Sequence, residues 1–142
     1  VKKVNFGRLR MSLSVAKFND DNFEISSAAM PPTYYYKAAS KQVEEILEPN
    51  LPLGGLESEK YTRVTKKFEQ NDIMVMISDG LPELPNDQNI LLDYEEIENC
   101  IGLNAHKSSE EIKSALVNLA DQWCNGIMNP DDITIVVIKK LA

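Results

Sequence analysis

Two short apolar runs constrain this chain more than anything else in it, because each has acid at one end. In "DIMVMISDGLPEL" (Asp72 to Leu84) an unbroken run from Ile73 to Ile77 gives way to Ser78, Asp79 and Gly80. In "NPDDITIVVIKK" the order is reversed: Asp131 and Asp132 come first, and the run Ile133–Ile138 follows. Runs of this length, rich in Ile and Val, read as strands buried on both faces. Each therefore needs a covering layer on either side.

If the two runs pair antiparallel, the end of one lies beside the start of the other. Asp79 and Asp131 then share one rim of a sheet whose strands are about 4.8 Å apart. Two carboxylates that close, beside an apolar core, repel each other and lose hydration. Protonation, a basic partner or a bound cation relieves them. Carboxylate oxygens select hard ions, so the candidates are magnesium or manganese rather than zinc. Gly80 gives the backbone a turn closed to side chains and leaves its carbonyl approachable. The plainer alternative stays open: aspartate commonly forms turns after strands, and a pair of them before a strand caps a loop without any ligand.

The rest of the chain supplies the layers. "LRMSLSVAKF" alternates, with Met11, Leu13 and Val15 on one side and Ser12 and Ser14 on the other, which is strand period. The turn residues Asn19 to Asn22 lead into "FEISSAA", making a hairpin that Pro31-Pro32 interrupts. "TYYYKAA" and "QVEEIL" form a second hairpin around Ser40-Lys41, "PNLPLGG" is a loop, and "YTRVTKKFE" is a strand. Beyond the "GLPELPNDQN" loop the period changes to helix. Asp93 and Glu96 have capping-box spacing, as do Ser108 and Glu111. Ile112, Leu116, Leu119 and Trp123 make a helical stripe, and Gly126 reads as a C-cap. Grouped strands followed by grouped helices and one last strand predict an α+β fold of about six or seven mainly antiparallel strands and two helices. One face of the buried strands takes the helices and the other takes a second sheet.

With 142 residues, the chain is one domain or part of one. A net charge of −7 argues against nucleic acid as a partner, since phosphate binding needs a basic face. No apolar run is long enough for a membrane span, and no membrane contact is expected from this segment. Cys100 and Cys124, far apart in helical patterns, read as reduced thiols, and His106 as a solvated surface residue. A cytoplasmic location is the expectation. The opening at Val1, without cap or linker character, reads as a chain entered part-way.

Four segments in order, "SSAAMPP", "LPLGG", "ISDGLPEL" and "NPDDITIVVIKK", resemble the SpoIIE/RsbU branch of the metal-dependent protein phosphatase (PPM) family. The likeness runs from about Leu9 to the C-terminus. It implies an αββα sandwich and a binuclear Mn2+ or Mg2+ site whose bridging water attacks phosphoserine or phosphothreonine. By position, Asp79 and Asp131 match the metal-ligand aspartates. Gly80 matches the glycine beside the ligand, Asp132 lies in a supporting slot, and Ser78 and Thr134 order the surroundings. The family's other motifs, including the Asp-x-x-Gly-His-Gly segment with the bridging carboxylate, lie upstream of where this chain begins. Residues 1–142 thus resemble the C-terminal portion of a single phosphatase domain that lacks part of its active site. Ala29 replaces the usual glycine before Met30, and Asn71 the glycine before Asp72; asparagine tolerates the left-handed conformation best after glycine. The implied partner is a phosphoprotein of a bacterial signalling chain, of the anti-sigma-factor-antagonist type. The alternatives are a catalytically inactive phosphatase-like module that holds a partner, and an acidic scaffold without ligand. Uncovered strand faces in an incomplete sandwich predict self-association, for example as a homodimer.

Overall fold

A computed structural model describes residues 9–54, 60–127, 129 and 131–141. The opening residues 1–8, Gly55 of the "LPLGG" segment and Pro130 lie outside the described residues. The elements follow in the order β1 (Leu13–Phe18), β2 (Asn22–Ala28), β3 (Thr33–Lys37), β4 (Gln42–Ile46), β5 (Val64–Lys67), β6 (Ile73–Ile77), α1 (Asp93–Asn104), α2 (Ser109–Cys124) and β7 (Ile135–Lys139). This is the expected α+β arrangement, with every strand pair antiparallel.

The strands form two sheets, ordered β1-β2-β5 and β4-β3-β6-β7. β6 and β7 pair with Ile77 opposite Ile135, as the mirrored acidic ends require. β6 is buried along almost its whole length because it lies between two layers. On one side Ile73, Val75 and Ile77 pack with Ile97 and Ile101 of α1 and Ile112 and Leu116 of α2. On the other, Met74 meets Phe23, Ile25, Tyr35 and Phe68 in the core between the sheets. Aromatic edges key that second core, with Phe23 and Phe68 rings nearly perpendicular at 5.6 Å.

β1 departs from the simplest picture of its alternation. Leu13 and Val15 face outward, while Ser14 and Ala16 face the inter-sheet side, where Ser14 and Ser27 hydroxyls share a hydrogen bond of 2.8 Å. α2 begins with the expected capping box: the Ser108 side chain accepts from the Glu111 N–H, and Glu111 accepts from the Ser108 N–H. The box expected at Asp93 and Glu96 does not form. Asp93 is itself left-handed, with φ 67°, and its carboxylate accepts from the adjacent Tyr94 N–H instead. Its own N–H donates to the Pro82 carbonyl, so the loop's packing sets this entry rather than local capping. At the end of α2 the cap residue is Asn125, with φ 47°, and Gly126, with φ 86°, continues the left-handed exit.

Candidate metal centre

The rim is built by two chain segments leaving neighbouring strands. The β6–β7 ladder extends one step past the strands, with the Ser78 N–H donating to the Thr134 carbonyl at 3.0 Å. The Ser78 hydroxyl then accepts from the Thr134 N–H at 2.9 Å and donates to the Asp132 carbonyl at 3.2 Å. One serine thereby staples the segment carrying Asp79 to the segment carrying Asp131 and Asp132. Gly80 closes the approach. A Cβ at this position would stand 2.4 Å from the Asp132 carbonyl oxygen, so only glycine lets the two backbones come this near. The requirement comes from close approach rather than from an unusual turn.

The three aspartates are exposed. The expected loss of hydration beside the core therefore does not arise: the carboxylates lie past the strand ends, within reach of water and ions. The Asp131 carboxylate accepts the Asp132 N–H at 2.8 Å, and the Asp131 N–H donates to the Asn129 side chain at 3.2 Å. These local bonds hold the Asp-Asp loop at the strand's entrance. Thr134 takes part through its backbone groups, and its side chain is exposed. β7 is anchored at its far end, where the Lys139 ammonium donates to the Ala105 and Lys107 carbonyls at the C-terminus of α1.

The donor set is all oxygen, which suits magnesium or manganese. Among the described residues, no three carboxylate, histidine or cysteine side chains gather closely enough to hold an ion by themselves. Asp79 and Asp131 thus fit the chemistry of a hard cation that keeps much of its water, as partial donors rather than as a closed cage.

Sequence reasoning left two acidic residues near the rim without a role. Glu83 follows Asp79 by one turn, its N–H donating to the Asp79 carbonyl at 3.1 Å. It lines a cavity together with Asp79, Glu45 and the Ala29–Pro32 segment. The four-residue spacing of Asp79 and Glu83 was a local signal; the approach of Glu45, from β4, was not. The Ala29–Pro32 segment also carries strain. Ala29 has φ 50°, the left-handed conformation that its missing glycine would take freely, while Asn71, at φ 68°, tolerates the same conformation as expected.

Comparison with known proteins adds an independent finding. The family model described as Stage II sporulation protein E (SpoIIE) matches residues 9–141. Phosphoserine phosphatase RsbU of Bacillus subtilis (strain 168) is 24% identical over 136 residues, covering 92% of this chain and 39% of RsbU. The chain therefore spans about two-fifths of the length of that curated relative. The PP2C phosphatase domain of the cell fate determinant SpoIIE from Bacillus subtilis, solved with a fragment of its regulatory domain, superposes with a TM-score of 0.72 at 21% identity. The match covers 91% of this chain and 37% of that one. The catalytic domain of serine/threonine protein phosphatase PstP, in complex with two manganese ions, superposes with a TM-score of 0.63 at 18% identity, over 89% of this chain and 56% of that one. At these identities the structural likenesses show the PP2C phosphatase fold.

Proposed function

The chain belongs to the SpoIIE family, and from that premise we propose that it contributes to a metal-dependent serine/threonine protein phosphatase of a signalling pathway. The observation that carries the proposal is the single rim at which Asp79 and the Asp131-Asp132 pair are brought together, stapled by Ser78 and closed by Gly80. Asp79 and Asp131 are the metal ligands in this reading, with Asp132, Ser78, Gly80 and Thr134 holding their backbones in place. Bound Mn2+ or Mg2+ supplies Lewis-acid neutralisation of the phosphoryl oxygens and a water of lowered pKa. The chain's own residues fix where that charge sits. The substrate is a phosphoprotein, phosphorylated on serine or threonine.

That residues 1–142 form the C-terminal portion of one such domain is part of the same proposal, and it rests on the order of the four motifs. The remaining ligands, including a bridging carboxylate, come from the N-terminal side of Leu9 in this reading. The test is manganese-dependent hydrolysis of p-nitrophenyl phosphate and of phosphoserine peptides by the full-length protein carrying this chain. Asp79→Asn and Asp131→Asn are each expected to lower turnover on the order of 100-fold or more, since even groups one step removed from a metal cost 10- to 100-fold. A full-length protein that is inert with both metals would instead indicate a phosphatase-like module that only holds a partner.

A further inference from the structure

Asp79 borders a second feature on the side of β6 away from β7. It lines a cavity of about 360 Å³ at the ends of β3 and β4, a size that accommodates ligand groups. Met30, Pro31 and Leu47 give it apolar walls, and Glu45 and Glu83 give it charge. Pro31 and Pro32 fix their own φ angles, so this wall is stiff. Leu47 is 62% exposed, an apolar surface offered to solvent directly beside two carboxylates. Among the described residues, no lysine or arginine lines the groove. None of the ion pairs among the described residues involves Glu45 or Glu83.

We propose that this groove seats the polypeptide flanking the phosphorylated residue of a protein substrate, and that it selects a lysine or arginine there. The basic head lies between Glu45 and Glu83, and its aliphatic stem lies along Met30, Pro31 and Leu47. Long basic side chains bury their stems on apolar surface while the charged end meets a polar partner, and the groove supplies both halves of that arrangement. The field is consistent with it. Burial first, then the Glu98 and Asp93 carboxylates, pushes the Glu45 carboxyl above its ordinary range. Burial, then Glu83, Asp93, Glu45 and Asp79, does the same to the phenol of Tyr94, which also lines the groove. The assignment rests on the phosphatase reading of the neighbouring rim and names the sequence chemistry that reading would recognise.

The experiment compares two phosphoserine peptides, identical except for lysine or glutamate on both sides of the phosphoserine, with the full-length protein and Mn2+. Both kcat/KM and binding of fluorescein-labelled peptide are measured, and p-nitrophenyl phosphate reports turnover independent of sequence. The lysine peptide is expected to be favoured about tenfold, the order reached by two partly exposed charge pairs. The preference should reside in KM and binding rather than kcat. Glu45→Gln with Glu83→Gln should bring the ratio close to one, and Glu45→Lys with Glu83→Lys should invert it; a ratio cancels any general loss of activity. Turnover with no preference, or with a preference that these variants leave intact, overturns the groove. No turnover on any substrate, together with charge-selective binding lost in the variants, overturns the phosphatase reading and keeps the groove as a docking site. No turnover and no selective binding overturns both.

Discussion

β6 has an aspartate at each end, and the two have opposite surroundings. Asp72, just before the strand, is 1% exposed. Its carboxylate accepts from the Tyr35 hydroxyl at 2.6 Å, the Glu69 N–H at 2.8 Å and the Ala38 N–H at 2.8 Å. The Lys67 carbonyl of β5 lies 2.9 Å from the same hydroxyl and shares its one proton, so Tyr35 of β3 and this carboxylate tie the two sheets together. Asp79, just past the other end, is exposed, and the neighbouring backbone rather than a set of donors is shaped around it. The contrast separates two uses of one residue type. A buried carboxylate saturated with protein donors is part of the fold. One held at the surface beside a second acidic loop leaves its oxygens accessible to solvent and ions.

The largest difference between the two aspartates is expected when each carboxylate is removed in turn. Asp72→Ala removes the acceptor of the Glu69 and Ala38 N–H groups and leaves the Tyr35 hydroxyl only the Lys67 carbonyl, and it is expected to cost about 3 kcal/mol. Asp79→Ala should change stability by less than about 0.5 kcal/mol, while abolishing most metal-dependent turnover. Urea midpoints at constant slope read the stability. Equal costs at the two positions would mean that Asp79 is structural and would remove the reason to place a cation there.

Gly80→Ala comes next. Its methyl group collides with the Asp132 carbonyl, and overpacking against backbone costs roughly 2 kcal/mol. Because the collision drives the two acidic loops apart, apparent affinity for Mn2+, read by titration of turnover, should weaken along with stability. A stable Gly80→Ala protein with unchanged metal dependence would show that the close approach has no bearing on the rim.

Ala29→Gly works in the opposite direction. Releasing the left-handed alanine is expected to stabilise the fold by about 1 kcal/mol, and thermal unfolding reads it as a higher midpoint. No gain would indicate that the strain is offset in the unfolded chain.

The smallest effect is a pH dependence. A carboxyl held above its ordinary range, as Glu45 is, binds more protons folded than unfolded in that window. Stability then falls as pH rises from the ordinary carboxylate range through the raised one. Glu45→Gln should flatten that part of the profile, with a slight gain at neutral pH and none in acid. A steeper profile in the variant would reverse the assigned sign.

Much of this was legible in the chain. The run Ile73–Ile77 carries its burial in its composition, and the turns at Asn19 and Ser40 are legible in their residues. The run Ile133–Ile138, expected to be buried on both faces, is only half-covered in β7, with Val136 40% exposed, because β7 lies at the edge of its sheet. The Ser108 capping box formed because it needs only four consecutive residues on a free helix end. The same spacing at Asp93 failed because a loop packed against α1 settled the backbone first.

Strand and helix periods and the acid at the two strand ends are written in neighbours a few residues apart, and the family likeness in the order of four short segments. Tertiary structure alone decided that the apolar side of β1 faces out. It also decided that Gly80 is needed for its contact with Asp132, and that Glu45 reaches the groove beside Asp79. Alternation says which side chains share a face, but the register of a partner strand says which face is covered. Contacts between residues 52 positions apart, such as Gly80 and Asp132, exist only once both layers have closed around the strand between them.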